Sequence, residues 1–267
     1  MKFNNTALQH HSKQQTMKIV VIGGTGLIGS QLVNVLKERG NDVVAASPNT
    51  GVNTLTGEGL ANALKDAHTV IDVSNSASFE DNAVMNFFKT SNENLLAAEK
   101  TAGVKHHIAL SVVGTQKLQG SGYFRAKQVQ EDLIKASSIP YTIVHATQFF
   151  EFAGSLALMS TIDGKVVVPD ANVQPIASKD VVAFMAEKAV EPAANTILEI
   201  GGPDKIALSG WIGHYAKTTG KNYEVIVDTN GQYSGTRLTK DALVPEKAVW
   251  LGSENYKDWI ANPANQR

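Results

Sequence analysis

A cluster of glycines near the start of the chain constrains its fold more than any other feature of the sequence. The stretch VVIGGTGLIGS, Val20 to Ser30, places four glycines within seven residues. An apolar run, KIVVIG, leads into these glycines, and apolar residues at helical spacing follow them. A strand, a glycine turn and an amphipathic helix in this order are typical of the first unit of an α/β nucleotide-binding fold.

The spacing of the glycines fits two forms of the dinucleotide-binding pattern. Gly24, Gly26 and Gly29 match G-x-G-x-x-G, and Gly23, Gly26 and Gly29 match G-x-x-G-x-x-G. One glycine permits the turn, a second leaves the backbone bare for a pyrophosphate, and a third lets the helix pack close to the strand. The helix N-terminus then offers free amides to the anion. A purely structural turn is the alternative, and the flanking strand and helix favour dinucleotide binding.

The rest of the chain alternates short apolar runs with helical segments. The further predicted strands are DVVAAS, HTVIDVS, HHIALS and PYTIVHA, and the predicted helices run from Ile28 to Gly40, over GLANALKDA, from Asp81 to Ala102 and from Ser121 to Ala136. Strands that are apolar on both faces predict a parallel sheet with helices on both sides. The predicted fold class is therefore α/β, a doubly wound parallel sheet of the Rossmann type with a smaller C-terminal substrate lobe.

The domain organisation follows from where this alternation begins and where it loosens. Residues 1–16 are polar, and we expect a disordered leader or an expression remnant there. Residues 17–150 form the predicted NAD(P)-binding domain. Residues 151–267 form the predicted smaller lobe, from which segments such as SKDVVAFMAEKAV return to the sheet.

Composition narrows the classes of function. The 24 Lys and Arg nearly balance the 25 Asp and Glu, so we expect no nucleic acid and no membrane as a partner. The chain has no cysteine, which excludes thiolate chemistry and fits a reducing compartment. No apolar run approaches the roughly 20 residues that cross a bilayer, and the leader does not resemble a signal peptide. We expect a cytoplasmic protein with a small-molecule substrate, and a homo-oligomer is left open.

The end of the second strand bears on the choice of cofactor. A carboxylate there would hold the ribose 2′-hydroxyl of NAD, but the chain has Ser47, Pro48 and Asn49 instead. Nothing repels a 2′-phosphate, although no Arg or Lys is nearby to attract one. Ser47 and Asn49 offer neutral hydrogen bonds, so the sequence favours NADP over NAD.

A tyrosine and a lysine suggest the chemistry. Tyr123 and Lys127 are four residues apart on a predicted helix, so their side chains share a face. Ser111 ends the strand before this helix, at the edge of the sheet where ligands bind. In hydride transfer to a carbonyl, Tyr123 would supply the proton, and Ser111 would bind the substrate oxygen. Lys127 would lower the pKa of Tyr123 and hold the nicotinamide ribose. The alternative is an exposed helix pair and a strand-end serine without function.

Several segments together resemble the NmrA-like, atypical branch of the short-chain dehydrogenase/reductase superfamily. They are GGTGLIGS, VIDVSN, LSVVG, YFRAKQVQEDLIKASSIPYTIVHATQFFEF and PIASKDVV, and the resemblance runs from about Met17 to past Gly202. It implies a Rossmann domain that binds NAD(P). Ser111, Tyr123 and Lys127 fall where the superfamily's triad falls.

The resemblance also implies which residues contact the cofactor. These are Gly23, Thr25, Gly26, Leu27 and Ile28 at the pyrophosphate, Val73, Ser74 and Asn75 near the adenosine half, and the segment Ala146 to Phe149, including Thr147, near the nicotinamide. Two positions depart from the pattern, because relatives commonly carry Arg where this chain has Pro48 and often where it has His145. We expect His145 to be a packed strand-end residue, with a catalytic base as the alternative.

Aromatic residues follow the fifth strand, and adjacent histidines precede the fourth. Gln148, Phe149, Phe150 and Phe152 are predicted to form an apolar wall for an aromatic or quinone-like substrate, or else to anchor the second lobe. His106 and His107 would face opposite ways and so could not share a metal. We predict no metal site.

The favoured function is an NAD(P)H-dependent oxidoreductase that transfers hydride to a small carbonyl or quinone-like substrate. The alternative is a non-catalytic sensor of the cofactor's redox state that acts through a protein partner. A sugar-nucleotide epimerase is a third and weaker hypothesis. Such an enzyme would need a pair of basic residues to bind the diphosphate of its substrate, and the sequence of the second lobe shows no obvious pair of this kind.

Overall fold

The computed structural model describes residues 16–266, so the predicted leader lies outside the described residues except for Thr16. The strands are β1 (Lys18–Ile22), β2 (Asp42–Ala46), β3 (Thr69–Asp72), β4 (His106–Val112), β5 (Tyr141–Ala146), β6 (Thr161–Ile162), β7 (Lys165–Pro169), β8 (Asn172–Val173), β9 (Thr196–Gly201), β10 (Ile206–Ala207), β11 (Val225–Asp228), β12 (Gln232–Tyr233), β13 (Thr236–Arg237) and β14 (Ala248–Leu251). The helices are α1 (Leu27–Glu38), α2 (Leu60–Leu64), α3 (Asp81–Ala102), α4 (Gly122–Ala136), α5 (Ala153–Met159), α6 (Ser178–Lys188), α7 (Leu208–Thr218) and α8 (Tyr256–Ala261).

A seven-stranded parallel sheet forms the centre of the molecule. Its strand order is β14-β9-β5-β4-β3-β1-β2, and every neighbouring pair is parallel. The chain turns outward in both directions from β1 and β3, which is the topological switch point of a doubly wound sheet. The predicted α/β Rossmann class is thereby confirmed.

Helices cover both faces of this sheet because each strand is apolar on both sides. Residues such as Val21 and Val144 point toward α1 and α6, which pack against each other. Residues such as Val20 and Ile143 point toward α2, α3 and α4 on the other face. The side-chain alternation of β4 therefore sends Ser111 to the side of α3 and α4.

The chain after β5 contributes both to the sheet and to a separate apolar core. β9 and β14 extend the central sheet beyond β5. The remaining strands form small sheets (β11-β7-β6, β10-β8 and the hairpin β12-β13) beside α5, α7 and α8. The fully buried Trp211 and the nearly fully buried Phe150 belong to this second core. The domain boundary between residues 150 and 151 stays a prediction.

Two local details concern where elements begin. The apolar segment FFEFAGSLALM begins as a 3-10 turn over Phe150–Phe152 and becomes α-helical only at Ala153. β4 begins at His106, where the predicted strand HHIALS begins, so both histidines lie inside the strand. Within residues 16–266, no helix combines the length and the apolar character that crossing a bilayer requires.

Candidate active site

The glycine turn between β1 and α1 divides its glycines into two kinds. A Cβ on Gly23, which has φ +78°, would stand 2.9 Å from Ser74 Cα, and a Cβ on Gly29 would overlap the carbonyl oxygen of Gly23. These two positions require glycine for the fold itself. A Cβ on Gly26 would meet only one atom, at 3.4 Å, and this residue is exposed. The surface over Gly26 is therefore bare backbone that an anion can approach.

Helix α1 presents its first amides at the same place. Gly26 precedes the helix and provides no side-chain cap, so amides of the first turn remain free for a ligand. Thr25 and Leu27 are exposed beside it. Ile28 is 5% exposed and packs in the core below α1, so only its backbone can contribute. A helix N-terminus behind an open glycine fits a pyrophosphate. The residues present at this turn therefore fit a dinucleotide cofactor.

The predicted adenosine end lies around β2 and the loop after β3. The backbone N–H of Ser47 donates to Thr50 Oγ1 at 2.9 Å, within a 3-10 turn over Pro48–Thr50. Ser47 is buried by this turn, and Asn49 is exposed. Asn49 is the more available hydrogen-bonding group at this end.

The loop after β3 joins the glycine turn to the core of the site. Val73 and Asn75 flank Ser74, whose backbone touches Gly23. Ser74 Oγ donates to the buried Asp72 Oδ1 at 2.6 Å, and its backbone N–H donates to the same oxygen at 2.9 Å. The turn is thus connected to a buried carboxylate.

Asp72 continues into a hydrogen-bond network that ends at Lys127. Gln130 Nε2 donates to Asp72 Oδ2 at 2.9 Å, and Gln130 Oε1 accepts from Lys127 Nζ. Lys127 Nζ also donates to the carbonyl oxygen of Leu110 at 2.9 Å. Both side chains are almost fully buried. The network holds the lysine head at the carboxyl end of β4 and joins it to Ser74.

Burial shifts the pKa values of the two predicted reactive groups. It lowers the pKa of the Lys127 ammonium to about 8, although the carboxylates of Asp72 and Glu131 partly oppose this change. It raises the pKa of the Tyr123 phenol above its ordinary value, and the neighbouring Tyr233 adds to the rise. The expectation that Lys127 lowers the pKa of Tyr123 is therefore not met, because desolvation of the phenolate dominates.

Aromatic side chains surround Tyr123 and connect it to Lys127. Phe88, on α3, lies 6.0 Å from the ring of Tyr123 and 4.5 Å from Lys127 Nζ, measured to its ring centroid. Phe79, which is 61% exposed, lies 5.8 Å from Tyr123 on the outer side. Tyr123 itself is partly exposed. The pair Tyr123 and Lys127 is thus brought together around one phenylalanine.

Ser111 has a different set of partners. Its Oγ donates to Glu131 Oε1 at 2.7 Å, and the same oxygen accepts from His145 Nε2 at 2.7 Å. Ser111 and His145 are register partners on β4 and β5, and Glu131 reaches them from α4. Within the described chain, no hydrogen bond joins Ser111 to Tyr123 or Lys127. Its catalytic role stays a prediction.

Glu131 is a residue that the sequence reasoning missed. Burial alone would raise the pKa of this carboxyl, but the hydrogen bonds from His145 and Ser111, together with the charge of Lys135, outweigh it and lower the pKa. A usable signal was present, since Gln130 and Glu131 lie three and four residues after Lys127 and so share its helix face. His145 is packed at the strand end as expected, although it pairs with this carboxylate.

The segment after β5 separates into core and surface. Phe150 is 2% exposed and packs 5.1 Å from the ring of Tyr256, so it anchors the second core. Phe152 is 46% exposed, and its ring lies 5.3 Å from that of Phe149. Phe149 and Phe152 are available to a ligand, whereas Phe150 is structural. Gln148 is nearly buried beside them.

The two adjacent histidines serve separate structural contacts. His106 Nε2 lies 2.8 Å from Thr142 Oγ1, and burial lowers the pKa of His106 to about 4. His107 Nδ1 lies 2.8 Å from Glu99 Oε1 on the opposite face of the sheet. Burial disfavours the charged His107 ring, but the Glu99 carboxylate outweighs it and raises the pKa. The two rings therefore lie on opposite faces of the sheet, and each has its own hydrogen-bond partner.

These features define a Rossmann-type dinucleotide-binding protein. Residues 23–192 match the NAD(P)H-binding family. This stretch is more than half of the chain, and the chain belongs to that family. The resemblance to the NmrA-like branch of the short-chain dehydrogenase/reductase superfamily fits this assignment.

Two relatives illustrate the range of the family's functions. The chain is 30% identical over 227 residues to the chloroplastic divinyl chlorophyllide a 8-vinyl-reductase of Cucumis sativus, covering 70% of this chain and 53% of the relative. It is 24% identical over 192 residues to the photosystem II assembly factor Ycf39 of Synechocystis sp., covering 66% and 59%. The chain thus spans little more than half the length of these curated relatives.

Solved structures confirm the fold. MoeE5 in complex with UDP-glucose and NAD superposes with a TM-score of 0.72 at 16% identity, covering 93% of this chain and 98% of that one. The dTDP-4-dehydrorhamnose reductase of Bacillus anthracis, in complex with NADP, gives a TM-score of 0.71 at 12% identity, covering 94% and 98%. At these identities the likeness concerns the architecture alone.

Proposed function

We propose that this protein is an NAD(P)H-dependent oxidoreductase that transfers hydride to a small carbonyl or quinone-like substrate. The observation that carries the proposal is the pairing of Lys127 and Tyr123 at the carboxyl edge of the sheet. Lys127 is buried and held by Leu110 and Gln130, and the partly exposed Tyr123 shares Phe88 with it. This amine forms no ion pair with a carboxylate between residues 16 and 266, and burying an amine in that state is expensive, which supports a functional reason for its position.

The two residues would have separate tasks. The raised pKa of Tyr123 keeps its hydroxyl protonated at neutral pH, so the phenol can give a proton to a substrate oxygen. Lys127, with a pKa of about 8, is mostly protonated at pH 7 and can donate hydrogen bonds to a ribose hydroxyl. A reduced nicotinamide would supply the hydride. Phe79, Phe149 and Phe152 would provide apolar contacts to a flat substrate.

We further propose NADPH as the preferred cofactor. The end of β2 carries no carboxylate that would repel a 2′-phosphate, and Asn49 is exposed there. Proteins of the same fold are known in complex with NAD and with NADP, so the preference rests on this chain's own residues. The small-molecule substrate, the cytoplasmic location and the homo-oligomer stay predictions.

The substitution Tyr123→Phe tests the proposed chemistry. It removes one hydroxyl and keeps the ring that contacts Phe88, so the fold and the affinity for NADPH should hardly change. Turnover of a quinone or aldehyde that the wild type reduces should fall by about 100-fold or more. Tyr141→Phe, at the opposite end of the sheet, is the control. Full activity in Tyr123→Phe would refute the assigned role.

A redox sensor acting through a protein partner is the second candidate. Two observations favour it: Ser111 is hydrogen-bonded to Glu131, and Tyr123 packs against the same apolar cluster as Tyr233 of the second lobe. A relative named as an assembly factor adds to this support. A sensor would bind NADPH and NADP with different affinities and would reduce none of a broad panel of quinones and aldehydes. Turnover of any of them that is lost in Tyr123→Phe would exclude it.

A further inference from the structure

A cavity of about 300 Å³ lies in the second lobe, between α7, α8 and the loop after β9. Phe150, Pro175, Ile206 and Tyr256 give it an apolar lining. Small-molecule sites in proteins have volumes of roughly 300–1,000 Å³, so the cavity is large enough for a small ligand. Phe150 packs in the second core, and no other lining residue is assigned above to the cofactor or to the chemistry. The cavity is therefore separate from the candidate active site.

A glycine in α7 keeps this cavity open. Gly210 is the third residue of the helix and lines the cavity. A Cβ at this position would meet only the Cβ of Ala207, at 4.0 Å, and the backbone has no positive φ here. Glycine is a poor helix former, and neither packing nor backbone conformation requires it at this point. A larger side chain at position 210 would instead fill part of the cavity.

Three aromatic rings form one wall of the cavity. The ring of Tyr256 lies edge to face with that of Phe150, at 5.1 Å between centroids, and with that of His214, at 5.9 Å. Packing fixes Phe150 and Tyr256, which are both buried. Aromatic rings in proteins gain free energy from offset and edge-to-face contacts with further rings. This wall therefore suits the ring of an aromatic ligand.

Two residues of opposite charge also line the cavity. Asp204 follows β9, Lys257 belongs to α8, and both are exposed. Between residues 16 and 266 neither side chain forms an ion pair or a hydrogen bond, whereas the adjacent Lys205 is paired with Asp241 at 2.7 Å. A ligand with one positive and one negative group would pair with both side chains. A ligand with a single charge would meet a like charge at one of them.

We propose that this cavity binds an aromatic α-amino acid, with the ring against Phe150 and Tyr256, the ammonium group at Asp204 and the carboxylate at Lys257. Such a molecule combines a flat apolar group with two opposite charges, which is the combination that the lining residues can bind. The proposal does not rest on the proposed function, because none of these contacts involves the cofactor or the proton donor. The protein would then carry a second small-molecule site besides its cofactor cleft.

Calorimetry on the purified full chain would measure the binding of three probes. L-Phenylalanine carries both charges, 3-phenylpropionate lacks the ammonium group, and phenethylamine lacks the carboxylate. Gly210→Leu puts a side chain into the cavity. Gly213→Leu makes the same change in the same helix and is the control, because position 213 does not line the cavity and a Cβ there meets no atom within 4 Å.

L-Phenylalanine should bind the wild type saturably, and each analogue should bind at least about threefold more weakly, because it loses one exposed ion pair. In Asp204→Asn, L-phenylalanine and 3-phenylpropionate should bind within about twofold of each other, since the partner of the ammonium group is gone. Gly210→Leu should lose the binding of L-phenylalanine and should unfold at the wild-type temperature or higher. Gly213→Leu should bind L-phenylalanine as the wild type does.

Three outcomes would overturn the proposal. They are no saturable binding of L-phenylalanine at millimolar concentrations, equal affinities of the three probes in the wild type, and unchanged binding in Gly210→Leu. If Gly210→Leu fails to fold, the comparison of probes in Asp204→Asn decides, and a difference that persists there would contradict the proposal as well. A wild type that binds L-phenylalanine but no reduced dinucleotide would contradict the proposed function alone.

Discussion

Lys127 Nζ donates a hydrogen bond to the carbonyl oxygen of Leu110 at 2.9 Å, and this contact ties α4 to the end of β4. The lysine head is thereby held in a desolvated position close to the face of Phe88. Its ammonium is easier to deprotonate there than in water, because burial opposes the charge. The protonation state of this amine should therefore make dinucleotide binding depend on pH.

Dinucleotide affinity should depend on pH through Lys127. Its pKa is lowered to about 8, so the ammonium is present below pH 8 and is lost as the pH rises through this value. We expect NADPH to bind several-fold more weakly at pH 9.5 than at pH 7, since a neutral amine is the weaker donor. Fluorescence titrations across this range would measure it. Lys127→Met should remove the pH dependence, and Lys100→Met, on the exposed side of α3, should retain it.

Gln130 should determine the pH at which the affinity for NADPH changes. Its Oε1 accepts from Lys127 Nζ and so stabilises the charged amine. Gln130→Met should move the midpoint of NADPH affinity to lower pH, and Gln130→Glu should move it to higher pH because a carboxylate favours the ammonium. The same titrations would show both shifts. A midpoint that is identical in both variants would refute a positioning role for Gln130.

Glu131 should contribute to stability in a pH-dependent way. Glu131→Gln should lower the free energy of unfolding by about 2 kcal/mol at pH 7, because a buried carboxylate that accepts two hydrogen bonds is replaced. The pKa of Glu131 is lowered from 4.5, so this stabilisation is present above pH 4.5 and is lost as the pH falls through the folded-state pKa. Urea unfolding would measure the difference in the free energy of unfolding between the wild type and Glu131→Gln. This difference should be smaller below pH 4 than at pH 7. Glu93→Gln, on the exposed side of α3, is the control.

Substitution by alanine should lower the affinity for NADPH at Gly26 and the stability of the fold at Gly29. In Gly26→Ala the new methyl group meets only the carbonyl oxygen of Gly23, at 3.4 Å, so thermal stability should change little while NADPH affinity falls about tenfold or more. In Gly29→Ala the methyl group would overlap the Gly23 carbonyl oxygen, so the protein should be destabilised by several kcal/mol. Thermal unfolding and titration of both variants would separate the two roles. Equal NADPH affinity in Gly26→Ala and the wild type would place the pyrophosphate elsewhere.

The sequence pattern predicted the first five strands of the fold and the glycine turn between β1 and α1 well. The bounds of α3, Asp81–Ala102, were predicted from its periodicity, because local spacing determines a helix face. The partners of the site residues could not be predicted in this way. Phe88 meets Lys127, and Glu131 meets Ser111 and His145, only when separate strands and helices pack together. Spacing along α4 indicated that Lys127 and Tyr123 share a face but not that burial would raise the pKa of Tyr123.

The most direct test of the account is a titration of the purified protein with NADPH and with NADH, followed by nicotinamide fluorescence. The open backbone at Gly26, the free amides of α1 and the family assignment predict saturable binding of a reduced dinucleotide, and the end of β2 predicts tighter binding of NADPH. Tighter binding of NADH would contradict only the cofactor preference. Binding of neither would show that the glycine turn is structural, and the proposed chemistry at Tyr123 and Lys127 would be wrong with it.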